Sequence, residues 1–149
     1  MKKKALFSGT FDPFTIGHDA LVKRALCMAD QIIIAIGNNP EKKTCFPLEE
    51  RLSLIRKIYA DEQRISVTAY DTLTVDFAKQ VGVDFILRGV RSISDFEHEK
   101  SMANINRKLS GIETVFMFSE PEYADISSSL IRELIKYKKD ISNLIPVVR

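Results

Sequence analysis

The stretch GTFDPFTIGH at positions 9–18 follows a short apolar run at 5–7 and is rich in glycine, threonine and aromatic residues. A plain connection needs only about two to five residues, so a ten-residue loop of this composition indicates a bound ligand. The chain then enters a helix near Gly17 and His18, where free backbone N–H groups and the helix dipole favour phosphate. His18 is placed to donate a hydrogen bond to a phosphate oxygen; the alternative is that it only caps the helix or packs against it. The loop contains neither GxGxxG nor GxxxxGK[ST], which excludes the common dinucleotide and P-loop motifs.

Two arginines separated by two residues form a second candidate site. Arg88 and Arg91 lie in RGVRS (88–92), at the end of an apolar run typical of a buried strand. A buried guanidinium is unfavourable unless it is paired, and two such groups at a strand end suit bidentate binding of phosphates. The alternative for Arg88 is a salt bridge to one of the acidic residues that follow: Asp95, Glu97 or Glu99.

Three consecutive serines form a third candidate site. Ser127, Ser128 and Ser129 lie in DISSSLIR (125–132), before an amphipathic stretch, and Arg132 follows one helical turn beyond Ser128. One serine would serve as an ordinary N-cap. Three exceed that need and place hydroxyl groups beside the free N–H groups of a helix start, which is another seat for phosphate.

These motifs favour a phosphate-rich ligand, and the sequence has none of the usual patterns of a catalytic nucleophile or a metal-binding site. The sequence has no Ser/His/Asp hydrolase order, no nucleophile elbow, no cysteine paired with a histidine and no carboxylate cluster built for a metal. Phosphoryl or nucleotidyl transfer needs none of these, because in-line displacement requires mainly position and charge. Magnesium would then be coordinated by the substrate phosphates rather than by protein side chains. Lys42 and Lys43 add positive charge in another loop, although by themselves they are typical of solvated lysines.

The elements that must position these residues alternate between strand and helix. Compact apolar runs at 5–7, 32–37, 65–67, 85–89 and 114–118 predict five strands buried on both faces. Helical periods lie between and after them, among them a helix over 94–111 with Ser94 as its cap and Glu97 completing a capping box. The pattern predicts an α/β fold: one doubly wound, Rossmann-like domain over 1–149, with a five-stranded parallel sheet and helices on both faces.

The candidate residues all follow strands in this arrangement. The loops after the five strands are predicted at 9–17, 38–46, 71–74, 89–93 and 119–129. In an open parallel sheet, ligands bind outside the carboxyl ends of the strands, near the point where the strand order reverses. We therefore expect the three motifs to meet at one edge of the sheet.

The composition excludes several other classes of protein. A net charge of +2, with basic residues interspersed among acidic ones, indicates neither a nucleic-acid partner nor a membrane surface. No apolar stretch approaches the roughly 20 residues of a membrane span. Cys27 and Cys45 form neither a disulfide framework nor a zinc spacing, which suits a cytoplasmic location.

The first and third motifs resemble the two signatures of the nucleotidyltransferase superfamily. TIGH (15–18) matches (H/T)xGH, and ISSSLIR resembles ISSTxxR. The finer resemblance, from about residue 5 to residue 145, is to the bacterial phosphopantetheine adenylyltransferase family. It extends through GTFDP, LEER, TVDFA, RGVRSISDFEHE, MANINRKL and DISSSLIRELI. The chain departs from the family pattern at Ser8, Ile16, His98 and Tyr123.

The resemblance implies transfer of an adenylyl group from ATP to 4′-phosphopantetheine, giving dephospho-coenzyme A and pyrophosphate, by direct in-line displacement without a covalent enzyme intermediate. It makes His18 the transition-state stabiliser, in a catalytic set with Thr10, Lys42, Arg88 and Arg91. Phosphopantetheine would contact Thr10, Lys42, Thr74 and Arg88. ATP would contact Gly9, Thr10, Phe11, Gly17, His18, Gly89, Val90, Arg91, Glu99, Tyr123, Ala124, Asp125, Ile126, Ser127, Ser128 and Ser129.

The same resemblance implies Mg²⁺ carried with ATP, a homohexamer and coenzyme A as a feedback ligand. Two alternatives remain open. One is a sibling enzyme, such as a nicotinamide-mononucleotide adenylyltransferase or a glycerol-phosphate cytidylyltransferase, although RGVR, Lys42 and TVDFA favour the pantetheine branch. The other is an inactive nucleotide-binding sensor, which would have no need of the whole transfer set.

Overall fold

Five parallel strands form one sheet in the computed structural model, which describes residues 2–148. The strands are β1 (Lys4–Gly9), β2 (Gln31–Gly37), β3 (Ile65–Tyr70), β4 (Phe85–Val90) and β5 (Glu113–Phe118). The α-helices over the same residues are α1 (Ile16–Ala25), α2 (Leu48–Ile58), α3 (Thr74–Val81), α4 (Ile93–Ser110) and α5 (Ser128–Lys136). Short 3₁₀ turns lie at Pro121–Tyr123 and Ser142–Leu144. None of the helices in this part of the chain is long and apolar enough to cross a membrane.

Apolar side chains cover both faces of the sheet. Successive residues of a strand point to opposite faces, so Phe7 and Ile34 belong to one buried cluster while Leu6 and Ala35 belong to another. Helices α1 and α2 pack on the first cluster, and α3 packs on the second. Burial on both faces explains why the strands are continuous apolar runs. The predicted doubly wound α/β sheet with helices on both faces is confirmed.

The strand order reverses between β1 and β4. The sheet has the order β3-β2-β1-β4-β5, and every pair is parallel. The ladder between β1 and β2 joins six residue pairs, whereas the ladder between β1 and β4 runs only from Ala5–Phe85 to Phe7–Leu87. Beyond that last pair, the two strand ends border the crevice in which sheets of this kind bind ligands.

The start of α4 differs from the prediction. Ser92, rather than Ser94, is the N-cap, and its hydroxyl accepts the backbone N–H of Asp95 at 3.1 Å. The Asp95 carboxylate in turn accepts the backbone N–H of Arg91 at 3.2 Å. Because β4 ends only two residues before this cap, the chain turns into the helix at once. Ser94 therefore lies inside the helix, and the predicted capping box with Glu97 does not form.

All five strands are longer than the apolar runs that predicted them. Strand β3 continues to Tyr70 and β4 to Val90, so Gly89 belongs to the strand rather than to the loop. A Cβ atom on Gly89 would lie 2.6 Å from Cδ1 of Leu21, which shows how closely α1 approaches this strand. Helix α3 ends, as predicted, at Gly82, whose φ of 70° is favourable only for glycine.

Candidate active site

Two neighbouring cavities open where the loops leave the carboxyl ends of the strands. The larger, about 750 Å³, lies among the loops after β1, β2 and β3 and helix α4. The smaller, about 320 Å³, lies among the loops after β1, β4 and β5 and the start of α5. All five loops contribute to the two cavities, which confirms that they open on one edge of the sheet.

A shared wall separates the cavities and carries several of the predicted catalytic groups. The residues that line both cavities are Ser8, Gly9, Thr10, Lys42, Arg88 and Glu99. The Lys42 ammonium donates a hydrogen bond to Oγ1 of Thr10 at 3.0 Å, so it reaches from the second loop to the first. The sequence around Lys42, taken alone, was typical of a solvated lysine, but in the structure Lys42 lies at the shared wall. Lys43 stays exposed.

A capping box at the start of α1 orients His18. The Oγ1 of Thr15 accepts the backbone N–H of His18 at 3.2 Å, and Nδ1 of His18 accepts the backbone N–H of Thr15 at 3.0 Å. Because Nδ1 is an acceptor, the neutral ring carries its proton on Nε2. His18 therefore caps the helix through one ring nitrogen and carries its proton on the other, and the residue lines the smaller cavity.

Aromatic rings surround His18 and keep it neutral. The centroids nearest to its ring are those of Phe11 at 5.0 Å, Phe14 at 5.2 Å and Phe7 at 6.1 Å. Burial among them, together with the positive charges of Arg91 and Arg88, lowers the pKa of His18 from 6.5 to about 3, and burial is the largest of these causes. At neutral pH the ring is a hydrogen-bond donor without a charge.

The aromatic ring beneath the first loop depends on an unusual backbone conformation. Phe11 is buried and has a φ of 50°, in the left-handed region. For a residue other than glycine this costs about 1–3 kcal/mol, and such strain concentrates at functional sites. A Cβ atom on Gly9 would lie 3.0 Å from the Phe11 ring. The glycine thus allows the ring to pack under the loop and against His18.

Arg88 is paired at the end of β4. Its Nε and Nη2 donate to the two carboxylate oxygens of Glu99 at 3.0 and 2.8 Å, and its Nη1 donates to the backbone carbonyl of Ser8. The salt bridge considered from the sequence is therefore formed, and Glu99 is the partner. A guanidinium has five N–H groups, so two remain for a ligand at the shared wall. Glu99 positions Arg88 as well as lining both cavities.

Arg91 is held less tightly at the edge of the smaller cavity. Its Nε lies 3.5 Å from a carboxylate oxygen of Asp95, and 42% of its side chain is exposed. Both residues line the smaller cavity. The guanidinium therefore faces incoming anions with only a partial countercharge.

The three serines perform different tasks. Ser127 is the N-cap of α5, with its hydroxyl accepting the backbone N–H of Leu130 at 3.0 Å. The hydroxyl of Ser128 donates to the backbone carbonyl of Pro13 at 2.7 Å and so joins α5 to the first loop. All three serines line the smaller cavity. One of them alone meets the capping need, as the sequence indicated.

Arg132 belongs to the site, although the sequence assigned it no role there. It lines the smaller cavity, its Nη2 donates to Oγ of Ser129 at 3.0 Å, and its Nη1 donates to the backbone carbonyl of Asp12 at 2.8 Å. The signal was its spacing: residues three and four apart share one face of a helix, so Arg132 lies on the same face as Ser128 and Ser129.

The other predicted contacts divide between the two cavities. Thr74 lines the larger one, with its hydroxyl 2.8 Å from that of Tyr70. The predicted ATP contacts that line the smaller cavity are Gly9, Thr10, Phe11, Gly17, His18, Gly89, Arg91, Glu99, Tyr123, Ile126, Ser127, Ser128 and Ser129. Val90, which is buried, and Ala124 and Asp125 lie outside both linings.

Among residues 2–148, no group of three or more His, Cys, Asp or Glu side chains is arranged to hold a metal ion. The carboxylates of the smaller cavity are already engaged: Asp95 faces Arg91, Glu99 binds Arg88, and Asp12 accepts two backbone N–H groups. The chain's own residues therefore do not fit a protein-held metal at this position.

Comparison with known proteins places this site in a family. A cytidylyltransferase-like family model matches residues 6–134. The chain is 55% identical over 144 residues to a phosphopantetheine adenylyltransferase of Bacteroides fragilis, covering 97% of this chain and 96% of that protein. It is 56% identical to the enzyme of the same name from Bacteroides thetaiotaomicron, covering 97% and 95%. The chain belongs to the phosphopantetheine adenylyltransferase family.

Solved structures of distant sequence share the fold of this family member. A bifunctional NMN adenylyltransferase/ADP ribose pyrophosphatase from Francisella tularensis, crystallised with AMP and an Mn ion, superposes with a TM-score of 0.72 at 16% identity. The match covers all of this chain and 46% of that longer protein. At this identity the likeness shows the fold alone.

Proposed function

We propose that this chain transfers the adenylyl group of ATP to 4′-phosphopantetheine, giving dephospho-coenzyme A and pyrophosphate. The observation that carries the proposal is the wall shared by two cavities of different chemistry, in a chain whose relatives are named phosphopantetheine adenylyltransferases. A transferase that joins two substrates needs two compartments with the reacting groups at their boundary.

The smaller cavity suits the nucleotide. The N-terminal ends of α1 and α5 both border it, and free N–H groups at helix starts favour phosphate oxygens. Arg91 and Arg132 add guanidinium groups for the triphosphate. Tyr123 and Ile126 supply an apolar surface for the base.

The larger cavity suits a phosphate attached to a long, flexible arm. Lys42 and Arg88 stand at its boundary with the smaller cavity, where they bind the phosphate. Away from that boundary, the lining combines the Thr74 hydroxyl with the exposed apolar side chains of Leu73 and Met102. Pantetheine has alternating amide and methylene groups, so it can use both kinds of contact.

The reaction proceeds by in-line displacement at the shared wall. An oxygen of the acceptor phosphate, held by Thr10, Lys42 and Arg88, forms a bond to the α-phosphorus of ATP while the bond to pyrophosphate breaks. Negative charge grows on the α-phosphoryl oxygens, and the Nε2–H of His18 donates to one of them. A hydrogen-bond donor that is already in position lowers the activation barrier, because it does not have to reorganise as the negative charge develops. Because the acceptor phosphate itself attacks the α-phosphorus, the mechanism needs no covalent enzyme intermediate, and His18 only donates a hydrogen bond.

Magnesium enters this proposal as an ion carried by the triphosphate. It would neutralise phosphate charge, as that ion commonly does when bound through substrate oxygens and water. No step above depends on a side chain holding the metal.

Several wider predictions accompany the function. We propose one nucleotidyltransferase domain over residues 1–149, since a single sheet carries all the site loops. Self-association is supported by apolar side chains left exposed along α4, including Ile93 and Leu109, while the number of six copies stays a prediction from the sequence. Inhibition by coenzyme A and a cytoplasmic location stay predictions from the sequence.

A product assay tests the proposed function. Purified protein is incubated with Mg-ATP and 4′-phosphopantetheine, beside parallel samples with nicotinamide mononucleotide and ATP, or glycerol 3-phosphate and CTP, and products are read by mass spectrometry. We expect dephospho-coenzyme A in the first sample only, and a large loss of it with His18→Asn. Product only in another sample would transfer the same chemistry to a sibling substrate. ATP binding without any product would replace the proposal with a sensor.

A further inference from the structure

Two buried charged residues outside the wall shared by the cavities, Asp12 and Arg51, anchor the loop that carries Lys42. The carboxylate of Asp12, 2% exposed, accepts the backbone N–H groups of Cys45 and Phe46 at 2.7 and 2.8 Å, one on each oxygen. The first loop therefore binds the end of the second loop through two charge-assisted hydrogen bonds, which are stronger than neutral ones.

Arg51 makes the reciprocal connection from helix α2. Its side chain is buried, with Nε donating to the backbone carbonyl of Phe46 at 3.0 Å and Nη1 donating to the backbone carbonyl of Thr10 at 2.8 Å. One planar guanidinium thus spans the first loop and the end of the second. A lysine has a single point of charge and does not reproduce this two-pronged geometry.

The loop that precedes this anchored end has few other contacts. Residues 38–43 form neither helix nor strand, and Lys42 is exposed. The other end of the loop is tied by the backbone N–H of Asn38, which donates to the carbonyl of Tyr70 at 2.8 Å. The Lys42 ammonium nevertheless reaches Oγ1 of Thr10. Its position relative to Thr10 consequently depends on the anchored end at Phe46.

Stability alone is a weak explanation for this arrangement. Burial lowers the pKa of the Arg51 guanidinium, while the nearby Asp12 carboxylate raises it in part. Buried ionic groups are often no better for stability than apolar residues of similar volume, whereas they do fix geometry. Both hydrogen bonds of Arg51 end on backbone carbonyls of site loops rather than on its own helix.

We propose that Arg51 and Asp12 are positioning residues that place the Lys42 ammonium beside Thr10 and so set the binding of the acceptor phosphate. The inference rests on the proposed function for its catalytic consequence, but not for its structural one. The expected effect is selective: the acceptor side of the wall depends on Lys42, while the helix starts and serines that face ATP do not depend on this loop.

Arg51→Lys tests the proposal, with Arg56→Lys as the matched control because Arg56 is exposed on the same helix and donates to Val67 instead. The first measurement needs no substrate: limited trypsin digestion, with mass spectrometry following cleavage after Lys42 and Lys43. We expect cleavage at least fivefold faster in Arg51→Lys and in Asp12→Asn than in the wild type, and unchanged in the control. Equal rates in all four proteins would overturn the positioning role.

The second measurement separates positioning from general weakening. In folded Arg51→Lys, we expect KM for phosphopantetheine to rise about tenfold and KM for ATP to change less than threefold. In a double-mutant cycle, Arg51→Lys should raise KM for phosphopantetheine little further when Lys42→Met is already present, because both changes remove the same contact of Lys42. Full additivity, or an equal rise in both KM values, would contradict the inference. If the wild type makes no dephospho-coenzyme A, the proposed function fails, and the trypsin result still decides whether Arg51 anchors the loop.

Discussion

The backbone N–H of Thr15 lies 3.0 Å from Nδ1 of His18, and this single hydrogen bond determines which ring nitrogen carries the proton. A ring nitrogen that accepts an N–H cannot itself be protonated, so the proton of neutral His18 resides on Nε2. The helix start therefore prepares the donor that the proposed transfer reaction uses. In this proposal, the hydrogen bond that caps the helix also orients the catalytic ring.

Removal of that donor is expected to slow chemistry more than binding. His18→Asn should lower kcat by roughly 10²–10³-fold, the usual effect of losing one preorganised donor to a transition state, while KM for ATP changes less than threefold. Steady-state kinetics with saturating phosphopantetheine give both values. His18→Gln, whose longer amide extends toward the Nε2 position, should recover part of the loss. A kcat for His18→Asn within threefold of the wild type would exclude the donor role.

The low pKa of His18 predicts a particular dependence of stability on pH. The ring has a pKa of about 3 when folded and 6.5 as a free side chain. Between these values the unfolded chain binds a proton that the folded chain does not, so the free energy of unfolding falls as pH falls from 6.5 toward 3. The contribution has a slope of at most about 1.4 kcal/mol per pH unit.

Urea unfolding at pH 7 and pH 5 measures this effect, with His18→Asn as the reference. The wild type should lose more unfolding free energy than the variant over that interval. Equal losses in the two proteins would mean that His18 titrates normally in the folded state. The same pKa means that the imidazole does not titrate between pH 5 and pH 8. The pH profile of kcat over that range should therefore have the same shape in the wild type and in His18→Gln.

Substitution of Arg88 by lysine should weaken acceptor binding. A lysine cannot contact both oxygens of Glu99 and the carbonyl of Ser8 in one plane. We expect Arg88→Lys to raise KM for phosphopantetheine at least tenfold and KM for ATP much less. Arg107→Lys is the control, because Arg107 is half exposed and only loosely paired with Glu113 at 3.7 Å. An equal rise in both KM values would remove the assignment of this guanidinium to the acceptor phosphate.

A hydrogen bond between two helices is expected to stabilise the site from below. The hydroxyl of Tyr59 donates to a carboxylate oxygen of Asp19, next to His18, at 2.6 Å, and burial together with this bond raises the pKa of the phenol. Tyr59→Phe leaves one oxygen of a buried carboxylate without that donor, which costs about 1–3 kcal/mol. Urea unfolding should show that loss, while Tyr137→Phe, at an exposed ring, should show none. Unchanged stability in Tyr59→Phe would contradict the account.

Much of the fold was predictable because its strands are buried on both faces. Runs such as IIIAIG are apolar at every position, which makes them easy to recognise as buried strands. The helices between the runs indicate crossover connections, which join parallel strands. The cap of α4 was not predictable from local pattern alone. Ser92 and Ser94 are both good caps, and the choice between them depends on where β4 ends, which is set by its pairing with β5.

The site residues that lie in stretches of unusual composition were predictable from the sequence. Those whose role depends on burial in the folded chain were not. GTFDPFTIGH and the serine run stand out in the sequence, and both line the smaller cavity. Arg51 lies in LEER, a charge-rich stretch that is typical of a solvated helix face, yet it is buried. Likewise, three acidic residues were open as partners for Arg88. Only the approach of α4 to β4 selects Glu99.

The wall between the two cavities also bears on how the protein releases what it makes. In the proposed reaction, two separate molecules lie on either side of Thr10, Lys42 and Arg88 before transfer, and each can leave alone. Afterwards the nucleotide half and the pantetheine half are tied together, so when one half lets go, the other keeps it at high effective concentration for rebinding. Departure then requires both halves to detach at once. The geometry proposed to join two substrates would therefore slow the escape of the joined molecule.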